Sequence, residues 1–207
     1  SQQIQPPPRS PSRICSASSR NKAADPQAFE CSLDIAQAAA KMVHRLKEEG
    51  DGIKWVPTDN LHLTLKFLGD VHNTEVPKVC KVVQQICSSI PPFELVFQGA
   101  GGLPDSDRAR IIHAGVTDQT GNLTLIVSQL ETCLADLGFK PEARDYRPHL
   151  TLGRAKARRA SSTVMEKVSL EEKTHLGPMS VDEVQIIASF LDKQGPTYQI
   201  MDRIDLG

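Results

Sequence analysis

The feature that most constrains this chain is a four-residue string that occurs twice. His-Leu-Thr-Leu begins at His62, in HLTLKFLG, and again at His149, in HLTLGRAK. In a chain of 207 residues with 6 histidines, chance supplies about 0.003 copies of that string, so two copies mark an internal duplication. Each copy follows an apolar-periodic stretch closed by a glycine: Gly50 stands 12 residues before His62 and Gly138 stands 11 before His149. On an extended strand, residues i and i+2 share a face while i+1 and i+3 point the other way. His62 therefore projects with Thr64, and His149 with Thr151, while Leu63, Leu65, Leu150 and Leu152 anchor the opposite face in apolar core. Polar pairs mounted on stiff elements are preorganised for chemistry, and a pseudo-twofold fold would bring both pairs to one cleft.

Composition narrows the setting. With 39% hydrophobic and 24% charged residues, and no apolar run near the roughly 18 residues of a membrane span, the chain reads as soluble and globular, without membrane contact. The 24 Lys+Arg against 25 Asp+Glu leave a net charge of -1, which excludes a global positive field for long duplexes and makes any nucleic-acid contact local. The 5 cysteines are scattered and lack a CxxC pair, arguing against both a disulfide framework and a zinc site and for a reducing, cytoplasmic location. No acidic cluster or HExxH arrangement accompanies the histidines, so neither a metal nor another cofactor is expected.

Residues 1–28 are rich in Pro and Ser and carry no acid before Asp25. They read as a disordered tail, or as an organelle-targeting segment of similar composition. The ordered domain is expected over 29–207. Apolar periodicity predicts helices over 33–49, 75–89, 123–137 and 162–172. Alternation predicts strands over 61–68, 93–98, 110–116, 149–154, 181–191 and 197–204. The Gly- and Pro-containing stretch Gly99 to Asp107 is expected as a flexible or substrate-facing loop.

The sequence resembles the two-histidine phosphoesterases, and within them the LigT-like RNA 2′,3′-cyclic phosphodiesterases, also called 2′-5′ RNA ligases. The resemblance spans about residues 30 to 206 and rests on WVPTDNLHLTLKFLGDV, PFELVFQGAGGLP, HAGV and LGFKPEARDYRPHLTLGRAK. It implies an α+β fold, with two pseudo-twofold-related lobes of antiparallel sheet, helices outside, and a central cleft carrying both HxTx motifs. The family usually opens on a strand, whereas Phe29 to Asp34 alternates poorly here; a weakened or missing first strand is therefore expected.

Opening a cyclic phosphate requires a base for water, an acid for the departing ribose oxygen, and donors for the phosphoryl oxygens. Two imidazoles can divide the first two tasks, with Thr64 and Thr151 clamping the oxygens in place of a metal. The resemblance implies His62 as proton donor, His149 as proton acceptor and Arg154 as a phosphate or nucleotide contact. Phe67, five residues beyond His62, is a second substrate-binding candidate for stacking a base, although strand parity groups it with the leucines and predicts core packing. Among the other histidines, His113 is singled out because its strand borders the PFELVF segment, Pro92 to Phe97, and so approaches the cleft. The expected activity is metal-independent hydrolysis of RNA-terminal 2′,3′-cyclic phosphate to 2′-phosphate, with reversible 2′-5′ ligation, by a monomer. The alternatives are a related phosphoesterase acting on small cyclic or 2′-5′ linked nucleotides, and a non-catalytic nucleotide- or RNA-binding module.

Overall fold

The structure is a computed structural model that describes residues 27–143, 145–192 and 195–207; for 27–30, 189–192 and 195–197 the backbone alone is described. In chain order the elements are β1 (Gln27–Glu30), α1 (Leu33–Leu46), β2 (Ile53–Trp55), β3 (His62–Thr64), α2 (Val76–Cys87), β4 (Phe93–Leu103), β5 (Ile111–Asp118), α3 (Asn122–Asp136), β6 (His149–Ala155), α4 (Ser162–Leu170), β7 (His175–Val181), β8 (Glu183–Asp192) and β9 (Gly195–Asp205). The fold is α+β. Among the described residues one antiparallel sheet runs β7-β4-β5-β6-β3-β1-β8-β9, with β2 also paired to β6.

The sheet divides naturally between β6 and β3, the two strands that carry the duplicated string. Along that path four strands lie to either side of the seam. On one side α1 packs on β7 and α4, and α4 packs on β4; on the other α2 packs on β8, β9 and α3. Helix α1 follows β1 in the chain yet lies on β7 at the far side of the seam, so the two halves are interlocked rather than merely adjacent.

Local signals explain the helix ends. Ser32 caps α1 by accepting from the Ile35 amide, and Ser161 caps α4 by accepting from the Val164 amide. Asp118 does the same work ahead of α3, accepting from the amides of Thr120 and Leu123 at 2.8 Å each. Gly138, at φ 92°, supplies the left-handed stop after α3. Helix α1 instead ends at Leu46 with an extended Lys47, so Gly50 serves the following turn.

One continuous core joins the helices to the sheet. Ile35, Ala39 and Met42 of α1, Val83 of α2 and Leu123, Ile126 and Leu130 of α3 are buried together with Leu63, Leu65, Leu150 and Leu152. The leucines of both strings thus face the helices, and the His and Thr residues occupy the other face of the sheet.

Four expectations need correction. The first strand is present: the backbone of β1 pairs with β3 through Ala28↔Thr64, Phe29↔Leu63 and Glu30↔His62, and with β8 through Gln27↔Ile186. Ladders on both edges override a poor alternation, and the chain is already paired at Gln27, inside the segment read as tail; residues 1–26 of that segment lie outside the described residues. Gly99 to Leu103 is sheet, since β4 pairs with β5 as far as Leu103↔Ile111 across a bulge at Gly99. Strand β3 stops at Thr64, well short of residue 68. Strand β7 was not expected at all, because HLGPMSV carries both Gly and Pro and lacks a strand signature.

Candidate active site

The seam is held by a single aligned pair, Leu63↔Leu150. Continuing that register by one residue either way sets His62 opposite Thr151 and Thr64 opposite His149. All four side chains are half-buried, and Leu63 and Leu150 behind them are wholly buried. The two copies of the string thus lie on adjacent strands around one aligned leucine pair.

Both imidazoles are oriented by the same device. His62 Nδ1 lies 2.8 Å from the Asn60 carbonyl and His149 Nδ1 lies 2.7 Å from the Arg147 carbonyl, each two residues upstream. A carbonyl only accepts, so Nδ1 is the donor in both rings, and Nε2 is the nitrogen whose proton can change hands.

Aromatic rings brace each histidine edge-on. Tyr198 of β9 meets His62 with ring centres 5.1 Å apart at 68°, and His113 of β5 meets His149 at 5.6 Å and 71°. His113 opposes Thr151 in the β5–β6 register, which puts it on the same face as the duplicated polar pairs. Its Nδ1 is buried without a partner of hydrogen-bonding geometry. Burial pushes the His113 imidazole below its ordinary value; the Ala114 backbone works against this and the neighbouring His149 reinforces it.

Arg154 reaches the site through a bulge. The β5–β6 register steps from Ile112↔Gly153 to His113↔Thr151, leaving Leu152 as an extra residue. Simple alternation would group Arg154 with Leu150 and Leu152, but the bulge resets the parity and leaves it exposed. Its charge acts on His149. Burial pushes the His149 imidazole down, the bond to the Arg147 carbonyl opposes that, and Arg154 lowers it further.

Phe67 is 49% exposed, which overturns the expected core packing. Past Thr64 the chain has left the strand, and it is Lys66 that turns inward, 1% exposed, with Nζ 2.6 Å from Glu131 Oε2 and 3.3 Å from the Lys140 carbonyl. A second tie crosses the seam where the Tyr146 hydroxyl donates to the Thr64 carbonyl at 3.0 Å; burial raises that phenol's pKa. Neither Lys66 nor Tyr146 was identified from sequence. Lys66 was hidden by the assumption that the strand continues, and Tyr146 carried only its place just before the second motif.

A family model described as the 2′-5′ RNA ligase superfamily matches residues 29–190. The chain belongs to the 2′-5′ RNA ligase superfamily. A superfamily relative from Methanothermobacter thermautotrophicus, named RNA 2′,3′-cyclic phosphodiesterase, is 34% identical over 157 residues, covering 76% of this chain and 84% of its own. Another of that name from Aquifex aeolicus is 30% identical over 174 residues, covering 81% and 90%. The fold of this chain is similar to that of TT0787 of Thermus thermophilus, at a TM-score of 0.74 and 21% identity over 87% of this chain and 96% of that one. E. coli LigT complexed with 3′-AMP gives 0.73 and 22% over 89% and 98%.

Proposed function

We propose that this superfamily member hydrolyses the 2′,3′-cyclic phosphate at the end of an RNA strand to a 2′-phosphate, and that a 5′-hydroxyl attacking in place of water gives a reversible 2′-5′ ligation. The observation that carries this reading is the pair of Nδ1-anchored imidazoles facing each other's threonine across one seam. In this mechanism His149 Nε2 takes a proton from water as the water oxygen attacks phosphorus. The bond from phosphorus to O3′ breaks, and His62 Nε2 delivers its proton to O3′, leaving a 2′-phosphate and a 3′-hydroxyl. Thr64 and Thr151 donate to the non-bridging oxygens as charge builds there. The lowered pKa of His149 supports its assignment as base, since a neutral imidazole is needed at the start of the step. Both motifs come from one chain, so the site is complete in a monomer. The names of the relatives and the nucleotide held by LigT support the substrate class.

The direct test incubates the protein with an oligoribonucleotide ending in a 2′,3′-cyclic phosphate and resolves 2′- from 3′-phosphate products by chromatography. A product that is mainly 3′-phosphate would reverse the acid and base assignments. Turnover is expected to persist in excess EDTA, because no group of three or more His, Cys, Asp or Glu side chains among the described residues is arranged to hold a metal. Loss with EDTA and recovery on adding a divalent ion would contradict it.

The pH profile supplies an independent check. His149 must be neutral to act as base, and its pKa lies below the ordinary histidine value, so the acid limb of kcat/KM should fall below about pH 6.5. Arg154→Ala removes one of the two lowering causes and should move that limb upward. An unmoved or downward-shifted limb would rule out the proposed effect of Arg154 on the base.

A further inference from the structure

Strand β2 is the one strand off the main path of the sheet, and it pairs with the end of β6 through Ile53↔Ala155, Lys54↔Arg154 and Trp55↔Gly153. Its alternate residues point to different faces. Ile53 is buried and Trp55 is packed against the core, and a Cβ on Gly153 would lie 2.6 Å from Ile53 Cγ2 and 2.8 Å from Trp55 Cε3. Glycine at 153 is what lets β2 lie this close. Lys54 and Arg154 consequently stand side by side on the outer face, both exposed.

Two like charges directly opposite on neighbouring strands repel. Among the described residues neither makes an ion pair with a carboxylate. The adjacent cation Lys156 is different, because its charge acts on Asp51, whose carboxyl already accepts from the Ile53 amide and the Trp55 indole. The pair therefore concentrates positive charge in a chain whose net charge is -1, at a position an anion would relieve. Thr151 opposes His113 and Arg154 opposes Ile111, two ladder positions or about 7 Å apart, and two long side chains there can reach a group one nucleotide away from the seam.

We propose that Lys54 and Arg154 form a second anion site, which takes the phosphodiester joining the terminal nucleotide to the rest of an RNA strand. The inference rests on the activity proposed above and adds that the enzyme distinguishes an RNA end from a lone cyclic mononucleotide. The test compares kcat/KM for an oligoribonucleotide ending in a 2′,3′-cyclic phosphate with that for adenosine 2′,3′-cyclic monophosphate, which lacks the second phosphate. Lys54→Gln should lower the oligonucleotide-to-mononucleotide ratio about 10-fold, and Lys54→Arg should restore it. The slope of log kcat/KM for the oligonucleotide against log salt should flatten by about 0.7, one phosphate contact on a single strand. An unchanged ratio in Lys54→Gln would overturn the second anion site while leaving the activity intact. If the wild-type protein cleaves neither substrate, the activity itself fails; fluorescence anisotropy with a labelled oligoribonucleotide ending in a 2′-phosphate then decides the anion site alone, equal Kd for wild type and Lys54→Gln overturning it.

Discussion

Alanine at His62 or at His149 is expected to lower turnover of a 2′,3′-cyclic phosphate about 100-fold or more, the range of general acid–base catalysis. Folding should survive either change. Each imidazole is half-buried and is anchored at Nδ1 by a carbonyl two residues upstream, while the packing at the seam comes from Leu63 and Leu150 behind it. The double substitution should cost little more than the worse single one, because an acid and a base that serve one step act as a unit. Steady-state kinetics beside a thermal melt decides the matter. A single variant with near wild-type turnover would remove that histidine from the mechanism, and strictly multiplicative losses would mean that the two do not share a step.

The second large effect falls on stability. Glu131→Ala should destabilise the protein by about 3 kcal/mol, because it strands a buried ammonium, and so lower Tm by roughly 6–12 °C for a chain of this size. The Lys66 side chain is wholly buried, whereas that of Glu131 is 25% exposed. Removing Lys66 instead leaves a carboxylate that can turn to water, so Lys66→Met should cost much less. The order of the two losses in a denaturant melt is the discriminating result: Lys66→Met as harmful as Glu131→Ala would mean that packing, and not the ion pair, holds this junction. Glu131 also accepts from the Glu142 amide, so the pair secures the chain that leads into the second motif.

What sequence reveals here follows the range of each signal. The duplicated string carries its own geometry, since period-2 alternation assigns His62, Thr64, His149 and Thr151 to one face before any partner strand is known. Helix α3 was readable from its apolar stripe and its terminal glycine for the same local reason. Features set by pairing were not readable. Alternation extended β3 through Leu68, but the strand ends at Thr64 and reverses which of Lys66 and Phe67 is buried. The role of β1 comes from its two neighbours, not from its own residues. Arg154 was identified by its place after the second motif, yet its route to the site depends on a one-residue bulge that alternation alone would have ruled out.

The seam has a further meaning in the language of symmetry. His62 opposite Thr151 and His149 opposite Thr64, around one aligned leucine pair, is the reciprocal pattern of an isologous interface, in which i meets j and j meets i. A homodimer built on one such motif would carry the same groups on both sides of its axis. Joining the halves in one chain removes that constraint: the strand with the second motif runs on through a bulge to Arg154, and the chain after the first turns inward at Lys66. A site that must tell O2′ from O3′ has two nearly equivalent oxygens to distinguish, and broken symmetry is what allows the choice.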